Sequence, residues 1–344
     1  MTRSVQLGLG VLLVILTAAG PVEAEIFVSR SQANEVWVYR DEADLGAEPI
    51  RVLGGPGSVL DEPWGLAVDP GRGELYVASR FADAVHVFSW NAAGPAAPLR
   101  TLAGHVSTFR QPSTLAFDAV HDELIVGAGD GVNINPAFYV FSATASGVAT
   151  PLRRYENAGT LFDDGILDVE VDPLHGEIFV LVAAQDTNNH VLTFDRLAES
   201  GDAPLRMLAG GATGIAGARG VVLDAVADEL IVGTDLDDDA LRFFPRAASG
   251  NVAPSRSILG PTTQLGPSTG RPAVRPATRE VLVIDGGSSL VTFAADAMGD
   301  VAPVRTVSGG AMPLSGALDA LFDGRLFGDG FETGDTSAWS LVVQ

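Results

Sequence analysis

Two residue types are missing from this 344-residue chain: it has no cysteine and no lysine, so all 21 basic side chains are arginine. The first absence excludes disulfides, thiol catalysis, cysteine-ligated zinc and iron–sulfur clusters. A chain without cross-links must draw its stability from its core and from closure of its fold. The second absence, set against 43 acidic residues, leaves a formal net charge of −22. Such a surface repels phosphate backbones, which argues against nucleic acid and anionic membranes as partners. Long apolar runs are also scarce. Leu7–Ala19 is such a run, and its 13 residues fall short of the roughly 20 that span a bilayer. With Arg3 before it and a small-x-small site ending at Ala24 behind it, the run reads as a signal peptide. The mature chain is therefore expected to be exported, periplasmic or extracellular, without an integral membrane segment, and to act as a monomer.

What is abundant is turn chemistry: 40 glycines and 20 prolines interrupt the apolar material many times. Those interruptions are periodic. The triplet Pro-x-Arg recurs six times, with its arginines at Arg51, Arg100, Arg153, Arg206, Arg256 and Arg305. A glutamate opens an apolar run six times on the same beat: Glu25, Glu74, Glu123, Glu177, Glu229 and Glu280. An aromatic closes the following run six times: Tyr39, Phe88, Phe141, Phe194, Phe244 and Phe293. Each unit of roughly 50 residues holds four short runs of β-branched and aromatic residues bounded by Gly, Pro, Asp and Asn. Six repeated four-stranded units specify an all-β fold, a six-bladed β-propeller. The repeated Arg is expected to pair with the repeated Glu, and the repeated aromatic to fill the space between blades. The expected organisation is a signal peptide at 1–24, the propeller at 25–323 and a C-terminal tail at 324–344. Because the mature chain begins on a second strand, the segment Ala317–Asp323 is expected to pair beside Glu25–Val28 and close one blade.

The second copy reads PWGLAVDP (63–70), GELYVA (73–78) and VHVF (85–88), and in this it resembles an NHL repeat. The resemblance is fair in the fourth and fifth copies and weak in the sixth, where Arg275 replaces the turn aspartate. It implies a six-bladed propeller that serves as a binding platform, and it specifies no ligand. The tail, with GDGFETGDTSAWS at 328–340, resembles a segment that recurs at the C-termini of exported bacterial proteins. Sorting, surface attachment, a capping strand and a frayed end are the readings it allows.

Chemistry has two candidate places. The loops between second and third strands bring Asp83, Asp130, Asp186, Asp235, Asp237, Asp238, Asp239 and Asp285 to one face. There Asp130, Asp186, Asp235, Asp237 and Asp285 are the candidate ligands for a hard cation such as Ca²⁺. The alternative is that these loops are solvated turns in an acidic protein. Of the histidines at positions 86, 105, 121, 175 and 190, His121 and His175 occupy the same turn in two copies, but the five share no equivalent channel-facing position, which argues against a His-ligated zinc. No local catalytic motif is present, so no catalytic residue is assigned. The expected function is a non-enzymatic scaffold binding a protein, a glycan or a cation-bridged ligand. The alternative is a metal-dependent lactonase or hydrolase, with Asn188, Asn189 and the loop aspartates at the channel mouth.

Overall fold

The computed structural model describes residues 24–323, apart from 105–108, 130–134, 157–161, 163–164, 185–188, 236–237, 268, 286–288, 309–313 and 315–316. The segments read as signal peptide and tail lie outside the described residues, Ala24 excepted. Among the described residues, twenty-four strands form six antiparallel four-stranded sheets. Blade one holds β24 (Ala317–Phe322), β1 (Glu25–Arg30), β2 (Glu35–Arg40) and β3 (Arg51–Gly54). Blade two holds β4 (Pro63–Asp69), β5 (Glu74–Ser79), β6 (Ala84–Ser89) and β7 (Arg100–Ala103). Blades three to six repeat the plan from first strands β8 (Pro112–Asp118), β12 (Ile166–Asp172), β16 (Ala218–Asp224) and β20 (Pro272–Val274). The expected clasp is present: Ile26 faces Phe322 and Val28 faces Ala320 across the β1–β24 pair. It gives β1 a partner on the edge that an open array would leave bare.

Local sequence explains each turn. The aspartate ending a first strand caps the turn that follows: Asp118 Oδ1 accepts the N–H of Val120 and His121, and Asp172 Oδ1 that of Leu174 and His175. The residue just before five of the six repeated glutamates then reverses the chain in the left-handed region. Gly73 and Gly176 do so at φ 63° and 67°, and Asp122 and Asp228 at φ 57° and 56°. The core lies between blades. All six repeated aromatics are buried, and clusters join neighbours, as where Leu53 of blade one packs with Leu75 and Phe88 of blade two.

The six arginines meet the six glutamates as expected. Arg100 holds Glu74 through two bonds of 2.6 and 2.7 Å, and Arg206 holds Glu177 through two of 2.8 and 2.7 Å. Arg51 and Arg153 do the same with Glu25 and Glu123, while Arg256 and Arg305 reach Glu229 and Glu280 through single bonds. Each pair ties an outer strand to the start of the second strand in its own blade. The guanidinium then crosses to the next blade. Arg51 donates to the Trp90 carbonyl at 2.7 Å, Arg100 to that of Ala143 at 2.6 Å and Arg256 to that of Ala297 at 2.7 Å. Burial works to raise the pKa of Glu123, yet Arg153 and Arg196 hold it below the ordinary range; Arg206 and Arg246 do so for Glu177. Stability from these groups is present above their unfolded pKa and is lost as pH falls through the folded one.

Arg100→Met removes one such stitch and leaves Glu74 buried without its cation. Hydrogen bonds to charged groups are worth about 1.5–3 kcal/mol, so we expect a loss of about 2 kcal/mol, with part recovered in R100M/E74L. Denaturant melts of the three proteins check this; an unchanged midpoint for R100M would show the stitch to be dispensable.

Candidate functional site

The six first strands line the central channel, and aligning them on the turn-aspartate position (Asp69, Asp118, Asp172, Asp224, Arg275 and Asp323) shows what occupies each level. Four residues earlier stand Gly65, Thr114, Asp168, Gly220, Arg271 and Asp319. At this level the channel narrows to a neck. A Cβ on Gly65 would come within 2.7 Å of the Thr114 Cα, and one on Gly220 within 2.5 Å of the Arg271 Cα. Both places therefore require glycine. The first strands carry register shifts at or beside this level, between Pro63 and Leu66, Pro112 and Thr114, Ile166 and Asp168, and Ala218 and Gly220. Such bulges re-aim side chains, and here they lie where polar groups converge.

Arg271 sits at the centre of the neck, with Asp168 and Asp319 bonded to it. It donates to Asp168, to Asp319 Oδ2 at 3.1 Å and to Thr114 Oγ1 at 2.6 Å. Thr114 in turn donates to Asp168 Oδ1 at 2.8 Å. Backbone donors complete the network: Val221 N–H reaches Asp168 Oδ2 at 2.9 Å, and Leu66 N–H shares Asp319 Oδ2 with Arg271 at 2.8 Å. Burial opposes the charge on Arg271, but Asp168 and Asp319 raise its pKa above the ordinary value, so it stays a cation. Burial pushes Asp319 up to about 6 against the pull of Arg271. One cation thus faces two carboxylates.

Between the neck and the turns joining first to second strands lies a cavity of about 370 Å³. Its walls are largely apolar, including Leu66, Ala67, Leu115, Val222 and Leu321, and its polar end is the neck. One carboxyl interrupts the wall. Glu170 accepts a bond from the Val171 N–H at 3.2 Å. Burial, reinforced by the charge of Asp168, pushes it up to about 8.

Of the aspartates singled out in the sequence, those among the described residues lie toward the opposite mouth. Asp130, Asp186 and Asp237, together with Asn188 and His105, lie outside the described residues. Of the other two candidate ligands, Asp235 pairs with Arg219 at 2.6 Å, and Asp285 accepts the Gly266 N–H at 2.6 Å and the Ser289 hydroxyl at 3.2 Å. Asp83 accepts the Gln111 N–H of the next blade at 2.8 Å, a linking role, and Asp238 pairs with Arg242. Asp239 lies among them, raised above the ordinary range by burial and by the charges of Asp285, Asp235 and Asp238. Among the described residues, no three His, Asp or Glu side chains are grouped to hold a metal ion. His121 and His175 are bonded to their own turn aspartates at 2.8 and 2.6 Å, and His86 to Thr101 at 3.0 Å. Asn189 links its loop to the Ala218 carbonyl at 2.9 Å. Asp168, Glu170, Arg271 and Asp319 were not singled out by the sequence reading. For Glu170 the signal was a charged residue inside a first strand whose counterparts, Ala67, Ala116, Val222, Ala273 and Leu321, are apolar; for the other three it was a first-strand level at which half the copies carry a charge.

The fold and its plugged channel define a six-bladed β-propeller. No protein-family model matches the chain, and no curated protein matches it in sequence. Solved structures are similar in fold. A chain of the nidogen–laminin complex aligns with TM-score 0.56 at 12% identity, covering 87% of this chain and 98% of that one. Hydrazine synthase of Kuenenia stuttgartiensis aligns with TM-score 0.55 at 15% identity, covering 80% and 77%. Among the described residues no helix is long and apolar enough to cross a membrane.

Glu170 has a folded pKa above its unfolded one, so the native state holds its proton more tightly. Ionisation therefore erodes stability as pH rises from the ordinary carboxylate range toward about 8. Glu170→Gln removes that erosion. Thermal melts should coincide with wild type near pH 4.5 and show the variant increasingly more stable up to pH 8; parallel curves across that range would contradict the burial argument.

Proposed function

We propose that this chain is an exported, non-enzymatic binding scaffold whose loop face takes a protein, glycan or cation-bridged ligand. The observation that carries this reading is the use made of its charged groups. The repeated arginines and glutamates stitch blades, Arg271 plugs the neck, and the turn aspartates cap turns. On the loop face the carboxylate of Asp239 stands close enough to Asp235, Asp238 and Asp285 for their charges to raise its pKa, although Asp235 and Asp238 are paired with Arg219 and Arg242. A rigid acidic face on a closed ring suits recognition of a cationic or cation-bridged surface. The structural neighbour from a protein complex is compatible with a propeller acting as a docking platform. Export is supported by the apolar N-terminal run and its small-x-small site. The NHL resemblance rests on the second copy's residues and points the same way. Among the described residues the hydrolase alternative has no observation in its favour: Asp235 and Asp285 are both bonded within the protein.

The cation-bridged form is tested by melting the mature protein in millimolar Ca²⁺ and in EDTA, beside Asp239→Asn. An ion at ten times its Kd adds about 1.4 kcal/mol, roughly two to four degrees for a chain of this size. We expect that rise in wild type and a smaller one in D239N. Identical melts with and without Ca²⁺ would remove the cation and leave direct recognition of a cationic partner.

A further inference from the structure

A second site lies on the face opposite the acidic loops. We propose that the channel cavity beside Glu170 binds a small organic cation, a protonated amine carried on an apolar body, with Glu170 as its counter-ion. Three observations carry this. The cavity, at about 370 Å³, falls within the range of small-molecule sites, which runs roughly from 300 to 1,000 Å³. Its wall is apolar except for Glu170 and the neck, which suits an aliphatic or aromatic body with one polar end.

The third observation is a charge imbalance. The charged groups acting on Glu170 are Asp168 and Asp172 on its own strand and Arg271 just before β20; Asp319 on β24 lines the same cavity, while the lining residues from β4, β8 and β16 carry no charge. Asp172 is engaged by the His175 turn. That leaves Asp168 and Asp319 sharing Arg271, so the neck has one more negative charge than positive even while Glu170 is protonated. An arriving ammonium supplies the missing cation. Glu170 then gives up its proton and faces the ammonium as a carboxylate, so binding near neutral pH releases a proton to solvent. A neutral ligand of the same shape supplies no such charge, and an anion adds to the excess.

The test is calorimetric titration of the full chain at pH 7 with 2-phenylethylammonium, 2-phenylethanol and 3-phenylpropionate. We expect saturable binding of one ammonium per chain, at least tenfold weaker binding of the alcohol, and no binding of the carboxylate. Repeating the ammonium titration in two buffers of different ionisation enthalpy should show proton release. Glu170→Gln should weaken the ammonium at least tenfold, abolish proton release and leave the alcohol unchanged. Val222→Phe, which fills the cavity, should remove both ligands. Asp239→Asn on the other face should change neither, which separates this site from the loop-face reading and from loose attraction to an acidic protein. Equal affinity for ammonium and alcohol, an ammonium affinity unaffected by E170Q, or no ammonium binding would each overturn the proposal.

Discussion

Six first strands must approach one axis, and what they meet there is a single guanidinium. Arg271 comes from blade six, Asp168 from blade four, Thr114 from blade three and Asp319 from the closing strand of blade one. The Leu66 and Val221 N–H groups bring in blades two and five. One hydrogen-bonded network therefore touches every blade. Other features follow from it. Gly65 and Gly220 are glycine because neighbouring backbones leave no room for a Cβ beside the network. The closing strand serves twice, through its ladder with β1 and through Asp319 in the neck. A low-dielectric site of this kind is stable only when its charges are matched, and the match here is incomplete by one positive charge.

At the rim the same chemistry works differently. There an arginine and a glutamate recur in each copy, and the arginine reaches a carbonyl of the next blade in several of them. Each stitch solves one local problem, how to fix an outer strand and a neighbouring blade with one side chain. Hydrophobic burial between blades supplies the bulk of the driving force, with Phe88, Phe141 and Phe194 fully enclosed. The stitches set the geometry within which those rings pack. Repeated residues thus build the scaffold, and departures from the repeat mark where it differs from a symmetric ring.

That division explains what could be read from the sequence. Strand number, blade boundaries, the clasp and the Arg–Glu pairs were legible because each copy poses the same physical problem and answers it with the same residue. The neck was not, since the residue at its level changes from copy to copy, running Gly65, Thr114, Asp168, Gly220, Arg271 and Asp319, and no repeated residue type marks it. No one copy reveals that these residues meet. The loop aspartates misled in the opposite way. Asp83 was conspicuous as a loop carboxylate, and it serves to hold the N–H of Gln111 in the next blade. Glu170 falls inside a first strand, away from the repeated markers and from the loops where carboxylates gathered.

The central claim, that a charged knot at the axis holds the blades in register, is tested most directly by Arg271→Met measured alone and in combination with Asp168→Asn and Asp319→Asn. The account predicts that R271M loses its cooperative thermal transition or melts far below wild type, because two buried carboxylates are left without a cation. The triple variant should regain much of the lost stability, since its neutral amides leave no uncompensated charge. An R271M protein that melts as wild type does, or a triple variant no more stable than R271M, would contradict it.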